Sequence, residues 1–452
     1  MRHLVLTMTR RNRKNLPAAP VRVCVEALSH DGRGVARVDG KTVFIDGALP
    51  GEEVWFAYRT QRRKFDEGTL VEMVTPSAAR VTPECPHFSH CGGCALQHLH
   101  PTAQIRAKQQ QLLENLRRIG NVEPEHVLEP VTGPVRGYRR KARLGARYVA
   151  KKGKALVGFR EKHSSFIADL ERCRVLHPHI GERIGALKAL LQSLQARERI
   201  PQIEVAVDDS RTALVFRHLE PLVPEDIRRL VRFGEQQDVM IFLQSKGPET
   251  ATAVWPRDGG LCYTLPQFEV ALNFSPTDFT QVNLEINRTM VALAVELLEL
   301  DSGDVVMDFF CGLGNFSLPM ARRVGRVIGI EGNRELVAKA RANARQNALH
   351  NAEFHVADLF EDLSAASWAD SRADKILLDP PRSGAQNLVE NHLAHFGAAR
   401  IAYVSCNAAT LARDAGVLVH RHGYRLAQVG LLDMFPHTVH SEAIALFVQA
   451  GG

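Results

Sequence analysis

The sequence predicts a multidomain protein: a small N-terminal β-barrel, a central α+β domain with a four-cysteine site, and a C-terminal α/β domain of the doubly wound, Rossmann-like kind. Three observations carry this. The chain has 452 residues, more than one ordinary core serves. Residues 21–77 break into short strands separated by glycine, while the last third alternates apolar strands with helical stretches. The 45% hydrophobic fraction supports globular folding throughout.

Residues 1–20 read as a loose basic arm, with Arg2, Arg10, Arg11, Arg13 and Lys14 and no acid among them. In residues 21–77, Gly34–Val38 and Thr42–Ile45 flank Asp39-Gly40, a strong hairpin signal. Strands over Val54–Tyr58 and Gly68–Val74 complete a small barrel of the oligonucleotide-binding type, whose connection carries Arg62, Arg63 and Lys64. Residues 78–265 open with three close cysteines and a helix over Ala103–Arg118. Strands then fall at Lys141–Tyr148, Ala155–Phe159, Ile203–Asp208, Thr212–Phe216 and Val239–Gln244, with helices near 179–197 and 224–236. Residues 266–452 give a helix at Glu285–Leu300, strand Val305–Asp308, a glycine-bearing loop and a helix at Ser317–Arg323. Strands at 327–330, 354–357, 375–378 and 401–405 then alternate with helices at 334–348, 387–395 and 410–421, and segments near 425–432 and 442–448 close the sequence. That alternation implies a largely parallel sheet covered on both faces, with ligands beyond its carboxyl edge.

The formal charge of +7 is unevenly spread: Arg59, Arg62, Arg63 and Lys64 form a second basic run, and Arg136, Arg139, Arg140, Lys141 and Arg143 a third. One such run is usually a solvated face; three in the first third point to a nucleic-acid partner. No apolar window is long enough to span a membrane, and Leu4-Val5-Leu6 is too short for a secretory signal. The eight cysteines are not spaced as a disulfide scaffold. The expectation is a cytoplasmic protein without a membrane partner, its cysteines reduced or bound to metal.

Gly312-x-Gly314 alone is weak evidence for a nucleotide site, because the third glycine of the dinucleotide pattern is missing. The acids around it strengthen the case: Asp308, Glu331 and Asp358 fall at the tips of three successive strands. An acid at the second tip suits ribose hydroxyls. The absence of a pyrophosphate nest favours S-adenosylmethionine, whose sulfonium needs acids and carbonyls around it. Taken singly, Asp308 or Glu331 would pass as a helix cap or a surface acid, and Cys311 reads as a small buried side chain.

In Ile376-Leu377-Leu378-Asp379-Pro380-Pro381-Arg382 a buried strand runs into a rigid turn, which holds Asp379 and Arg382 at the strand end. The next strand ends in Ser405-Cys406-Asn407. A cysteine within a strand is usually core, whereas one at this edge among polar neighbours is a candidate nucleophile. A thiolate is what C5 of uracil needs: addition at C6 makes C5 nucleophilic toward a methyl donor, and a carboxylate must then remove the C5 proton. Glu442, opening the last strand, fits that role. His437 and His440 precede it as orienting groups or plain loop histidines, and Phe279 and Phe435 are either base-holding aromatics or core.

Cys85, Cys91 and Cys94 would repel one another as thiolates unless a metal shared them, with Cys173 the obvious fourth ligand. Zinc and a [4Fe–4S] cluster both accept four thiolates. The long gap from Cys85 to Cys91 tilts toward iron–sulfur, with His87, His90 and His98 as alternative zinc ligands. Cys24 and Cys262 read as buried thiols.

These motifs together resemble the RNA uracil-C5 methyltransferase family, in its branch with a TRAM domain and an iron–sulfur cluster acting on large-subunit ribosomal RNA. The resemblance covers nearly all of 20–450. It implies that residues 21–77 are a TRAM domain and that Cys85, Cys91, Cys94 and Cys173 are cluster ligands. It implies cofactor contacts from Gln281, Phe310, Asn315, Glu331, Asp358 and Asp379, with Cys406 as nucleophile and Glu442 as general base. It further implies S-adenosyl-L-methionine as methyl donor and 23S rRNA as partner, modified at the uridine numbered 1939, by a monomeric enzyme. Relatives without the barrel act at uridine 747 or at the T-loop of tRNA. One departure is Ala408, where the family usually has proline after Ser-Cys-Asn. Against a non-catalytic rRNA-binding or assembly factor stands the Asp-Pro-Pro-Arg turn, which such a protein would not need. An N- or O-methyltransferase would have no use for the thiol.

Overall fold

The computed structural model describes residues 16–17, 19–364 and 366–449; the arginines and lysine of the basic arm lie outside the described residues. The chain divides into two compact units. Of the described residues, the first holds those up to 89 with 94–107 and 437–439, and the second holds 90–93, those within 108–436, and 440–449.

In the first unit, strands β1 (Val21–Cys24), β2 (Ala27–Leu28), β3 (Gly34–Val38), β4 (Lys41–Asp46), β5 (Glu53–Gln61) and β6 (Phe65–Thr75) form one sheet in the order β1-β5-β6-β4-β3-β2. All pairs are antiparallel except β4 with β6. The β3–β4 hairpin turns through Asp39 and Gly40, both at positive φ as a type I′ turn requires. Curling the sheet buries Ala36, Val43, Ile45, Val54 and Phe56 in a small core of its own. Arg62, Arg63 and Lys64 are exposed on the β5–β6 connection, as the sequence implies. Cys24 is exposed rather than a buried thiol; it is the last residue of β1, whose burial alternates and leaves this position outward.

The first strand of the second unit is the short β7 (His126–Val127), which has no sequence signal. A six-stranded sheet follows from β8 (Lys141–Val149), β9 (Lys154–Gly158), β10 (Gln202–Val207), β11 (Thr212–Arg217), β12 (Met240–Gln244) and β13 (Thr252–Trp255), in the order β13-β12-β11-β10-β8-β9. The hairpin of β14 (Leu261–Leu265) and β15 (Val270–Phe274) leads into the helix Leu284–Leu298. Cys262, in β14, is half-buried rather than fully covered.

The remaining strands are β16 (Val305–Phe309), β17 (Arg326–Glu331), β18 (Ala352–Val356), β19 (Lys375–Leu378), β20 (Arg400–Ser405), β21 (Tyr424–Leu432) and β22 (Glu442–Gln449). With β7 they make an eight-stranded sheet in the order β18-β17-β16-β19-β20-β22-β21-β7. The five strands β16 to β20 are parallel, as the alternation predicts, while β22 inserts antiparallel between β20 and β21. Met307, Phe309, Ile328, Ile376, Ile401, Tyr403 and Phe447 are fully buried, as central strands covered on both faces must be. Two expected helices are each broken: 179–197 into Pro178–Gly181 and Ile184–Ser193, and 387–395 into Gln386–Asn391 and Leu393–Phe396, interrupted at His392. The helix Pro101–Asn115 ends in a widened turn at Leu116–Gly120. A Cβ on Gly120 would fall 2.3 Å from the carbonyl of Ala412, so only glycine allows this approach to the helix Ala408–His420.

Candidate active site

At the carboxyl end of β16 the chain turns through Phe310-Cys311-Gly312-Leu313-Gly314-Asn315. The N–H groups of Phe310 and Cys311 both donate to the carbonyl of Ile330 on β17, at 2.8 and 3.1 Å. To make that turn Phe310, Gly312 and Gly314 adopt positive φ (66°, 55° and 91°); Phe310 does so while carrying a side chain, a strained arrangement that concentrates at functional loops. Cys311 is buried, as the sequence implies. Glu331, the last residue of β17, accepts from Gly312 N through Oε2 (3.1 Å) and from Asn333 N through Oε1 (2.9 Å). Asp358 lies two residues beyond the end of β18, exposed, and accepts from Phe360 N at 3.0 Å.

Asp308 is fully buried. Ser317 Oγ donates to its Oδ2, and its Oδ1 has no hydrogen-bond partner. Burial, reinforced by the charges of Asp379 and Glu331 and opposed by the Ser317 bond, raises its carboxyl to about 8. Asp379 follows β19, its N–H reaching Phe309 O at 3.3 Å, and burial raises its carboxyl to about 7. The charges acting on Asp308 are thus negative ones, and this strand edge suits a cationic ligand.

Asn315 is held by groups that motif reading missed. Its Oδ1 accepts from Tyr263 Oη (2.9 Å) and Asn287 Nδ2 (3.0 Å), and its Nδ2 donates to Asn287 Oδ1 (2.9 Å). The signal was present in the sequence: Asn287 falls on the buried stripe of its helix with Leu284, Met290, Val291 and Ala294. Gln281 is half-buried in the segment between β15 and that helix. Phe279, in the same segment, is 72% exposed and therefore not core.

Cys406 lies just past β20. The antiparallel register pairs Ser405 with Ala443 and Leu432 with Glu442, so the next step brings Cys406 level with the start of β22, where Glu442 stands. Burial, then the charges of Glu442 and Asp379, push the Cys406 thiol upward, while Arg382 pulls it down. Glu442 is 3% exposed with Oε2 unpartnered; burial and then Asp379 raise its carboxyl to about 8. Asn407 ties the two loops together. Its Nδ2 donates to Arg382 O (3.0 Å), and its Oδ1 accepts from Ala409 N (3.1 Å) to cap the helix Ala408–His420. Ala408 begins that helix without disturbing it.

The two loop histidines separate. His437 belongs to the first unit, where its N–H donates to Gln104 Oε1 at 3.0 Å. His440 belongs to the second, with Nδ1 3.3 Å from Arg382 Nη2. Burial, then Arg382, Arg139 and Lys108, lower its pKa. Half-buried Phe435 packs edge-on against His440 at 5.8 Å. Buried Lys108 donates to Asp433 Oδ1 (2.7 Å) and Phe435 O (3.0 Å), which fixes the start of this loop.

Cys85 and Cys94 fall in the first unit, half-buried; Cys91 and Cys173 fall in the second, buried. Gln97 Nε2 donates to Cys94 Sγ at 3.2 Å, and Gly93 N to Cys91 Sγ at 3.4 Å. Gly92 and Gly93 serve a close approach: a Cβ on either would lie 2.9 Å from Arg160 O or from the Phe159 ring. Among the described residues, no group of three or more His, Cys, Asp or Glu side chains is assembled for a metal.

The sheet order, with its last strand reversed between two predecessors and acids at the tips of β16, β17 and β19, defines a methyltransferase-type doubly wound domain. Residues 267–450 match the tRNA (uracil-5-)-methyltransferase family model and residues 19–55 that of the TRAM domain. The 23S rRNA (uracil(1939)-C(5))-methyltransferase RlmD of Methylococcus capsulatus is 52% identical over 97% of this chain and 99% of its own. That of Nitrosococcus oceani is 54% identical over 97% and 98%. The chain belongs to this family of 23S rRNA uracil-C5 methyltransferases. A crystal structure of Pyrococcus abyssi tRNA (uracil-54, C5)-methyltransferase with S-adenosyl-L-homocysteine superposes with a TM-score of 0.73 at 25% identity, covering 95% of this chain and all of that one.

Proposed function

We propose that this protein methylates C5 of uridine 1939 in 23S rRNA, with Cys406 as nucleophile and Glu442 as general base. The observation that carries the reading is the β20–β22 register, which sets the thiol level with a buried carboxyl, one oxygen of which has no hydrogen-bond partner, at one strand edge. S-adenosyl-L-methionine would supply an electrophilic methyl group. Gln281, Phe310, Asn315, Glu331, Asp358 and Asp379 would hold it, Glu331 through ribose hydroxyls, and the acids near β16 and β19 suit its positive charge. The Cys406 thiolate, favoured by Arg382, adds to C6 of the uracil and makes C5 nucleophilic. Once C5 carries the methyl group, the Glu442 carboxylate takes the C5 proton and the thiolate departs, restoring the C5–C6 double bond. A uridine in structured RNA must leave its stack to reach this edge. Exposed Phe279 and half-buried Phe435 are suited to hold it.

The greater likeness to the ribosomal relatives, 52–54% against 25% for the tRNA enzyme, favours 23S rRNA over tRNA. We also propose that Cys85, Cys91, Cys94 and Cys173 hold a [4Fe–4S] cluster. Burial and the N–H donors to Cys91 and Cys94 suit thiolate ligands. We further propose that the enzyme is a cytoplasmic monomer. Among the described residues no helix is long and apolar enough to cross a membrane. Residues 21–77, 78–265 and 266–452 would serve as the RNA-binding barrel, central and methyltransferase domains.

Methyl transfer from labelled donor to unmodified 23S rRNA and tRNA, with nuclease mapping and identification of the nucleoside, tests the reading. The expected product is 5-methyluridine at position 1939; product confined to position 747 or to tRNA would overturn the substrate, and a different methylated nucleoside the chemistry.

A further inference from the structure

A second surface of the same unit has the makings of a nucleic-acid contact. Along β8, Ala142, Leu144 and Ala146 point into the core, which turns Arg143, Gly145 and Arg147 to the opposite, outer face. Beside that face the chain folds into a short loop from Arg160 to Ile167, closed by an antiparallel bridge between those two residues. Within it Glu161 N donates to Phe166 O (2.9 Å) and Phe166 N to Ser164 Oγ (2.9 Å). Strand and loop together border a trough of about 680 Å³, lined by Arg143, Arg147, Tyr148, Arg160, Ile167 and Gln202.

Two features of this strand and loop lack a use within the fold. Arg147 and Arg160 are exposed and make no ion pair among the described residues, whereas Arg143 is paired with Glu204 at 2.7 Å. Phe166 is 59% exposed on a loop whose backbone is pinned at both ends. A solvent-facing ring on a pinned loop that also carries an unpaired guanidinium, next to a strand carrying another, can bind unpaired nucleotides: arginines meet the phosphates and a base stacks on the ring. The loop is also fastened to the cysteine-rich segment. Gly92 N donates to Arg160 O (2.8 Å), Lys162 N to His90 O (2.7 Å), and Cys91 bridges Glu161.

We infer that the Arg160–Ile167 loop and the outer face of β8 form a platform for an unpaired nucleotide of the RNA other than the target uridine, with Phe166 stacking its base and Arg147 and Arg160 meeting its phosphates. The inference rests on the rRNA reading of the active site. It gives the segment around Cys91 a function as the brace of this platform.

The test is filter binding of a 23S rRNA fragment containing the target uridine, across a salt series, to the full chain and to F166A, F166W and R147A. F166A should weaken Kd about tenfold, the scale of one lost base–aromatic stack, and F166W should restore it. R147A should reduce the slope of log affinity against log salt by about one phosphate contact. Wild-type affinity in F166A together with a wild-type slope in R147A would overturn the platform. The readout is binding rather than methyl transfer, so its failure is separate from failure of the methylation reading.

Discussion

The edge of the eight-stranded sheet and the outer face of β8 belong to one compact unit yet solve opposite problems. At the edge, Asp308, Asp379 and Glu442 are withdrawn from water until their carboxyls titrate near 7 to 8. On β8 Arg147 stands in solvent with its charge unspent. Chemistry on a base needs a dry pocket in which a thiol and a carboxyl can be tuned by one another. Holding a polyanion needs cations that water can reach and phosphates can displace it from. The comparison teaches that burial, more than residue type, separates a reacting charge from a gripping one.

The largest effect expected at the edge is from Cys406→Ala, which should abolish methyl transfer while RNA binding in a filter assay survives; residual turnover would exclude the covalent route. Next comes Glu442→Gln. Losing a positioned base costs on the order of 10²–10⁴-fold in rate. Because the block falls after thiolate addition, a denaturation-resistant protein–RNA adduct should accumulate on gels. An equally slow variant without adduct would place Glu442 before the addition step.

A milder break is Asn287→Leu, which removes two of the hydrogen bonds that orient Asn315. Cofactor binding weaker by up to about thirtyfold by calorimetry is the expected result, at roughly 1 kcal/mol for each of the two neutral hydrogen bonds. Unchanged binding would mean that Asn315 holds its place without Asn287.

A last effect is on stability rather than activity, and it follows pH. The folded-state carboxyls of Asp308, Asp379 and Glu442 lie above their ordinary values, so between about 4 and 8 the folded protein holds protons that the unfolded chain has lost. Their contribution to stability is complete below the ordinary carboxylate range and is lost as pH rises through about 7 to 8. Denaturant melts of the ligand-free protein should show this decline, and a bound cationic cofactor should flatten it. A stability rising from pH 5 to 8 would contradict the burial assigned to these groups.

Much of the candidate site is legible in the sequence because motif and strand end coincide. Asp379 follows a buried apolar run into Pro380-Pro381, and Cys406 follows another into a helix cap, so each residue announces its own position. The β3–β4 hairpin was equally plain from Asp39-Gly40. What the sequence withheld were relations across long separations. That Asn407 clamps the carbonyl of Arg382, and that Tyr263 and Asn287 share Asn315, depends on which strands lie side by side. β7 gave no signal because two residues cannot show a period, and its pairing with β21 is purely tertiary. Cys24 was misjudged because composition gives a cysteine's usual burial, and only the alternation along β1 shows which way this one faces. Phe166 and Arg147 went unnoticed for a related reason: exposure, which makes them a binding surface, leaves no mark on a sequence.

The measurement that bears most directly on the account is trapping with a 23S rRNA fragment carrying 5-fluorouridine at the target position, whose C5 fluorine cannot be removed as a proton. In the presence of S-adenosyl-L-methionine, the protein should form a denaturation-resistant adduct that peptide mapping places on Cys406. An adduct on another residue, or methyl transfer to ordinary uridine with no adduct on the fluorinated fragment, would contradict the account.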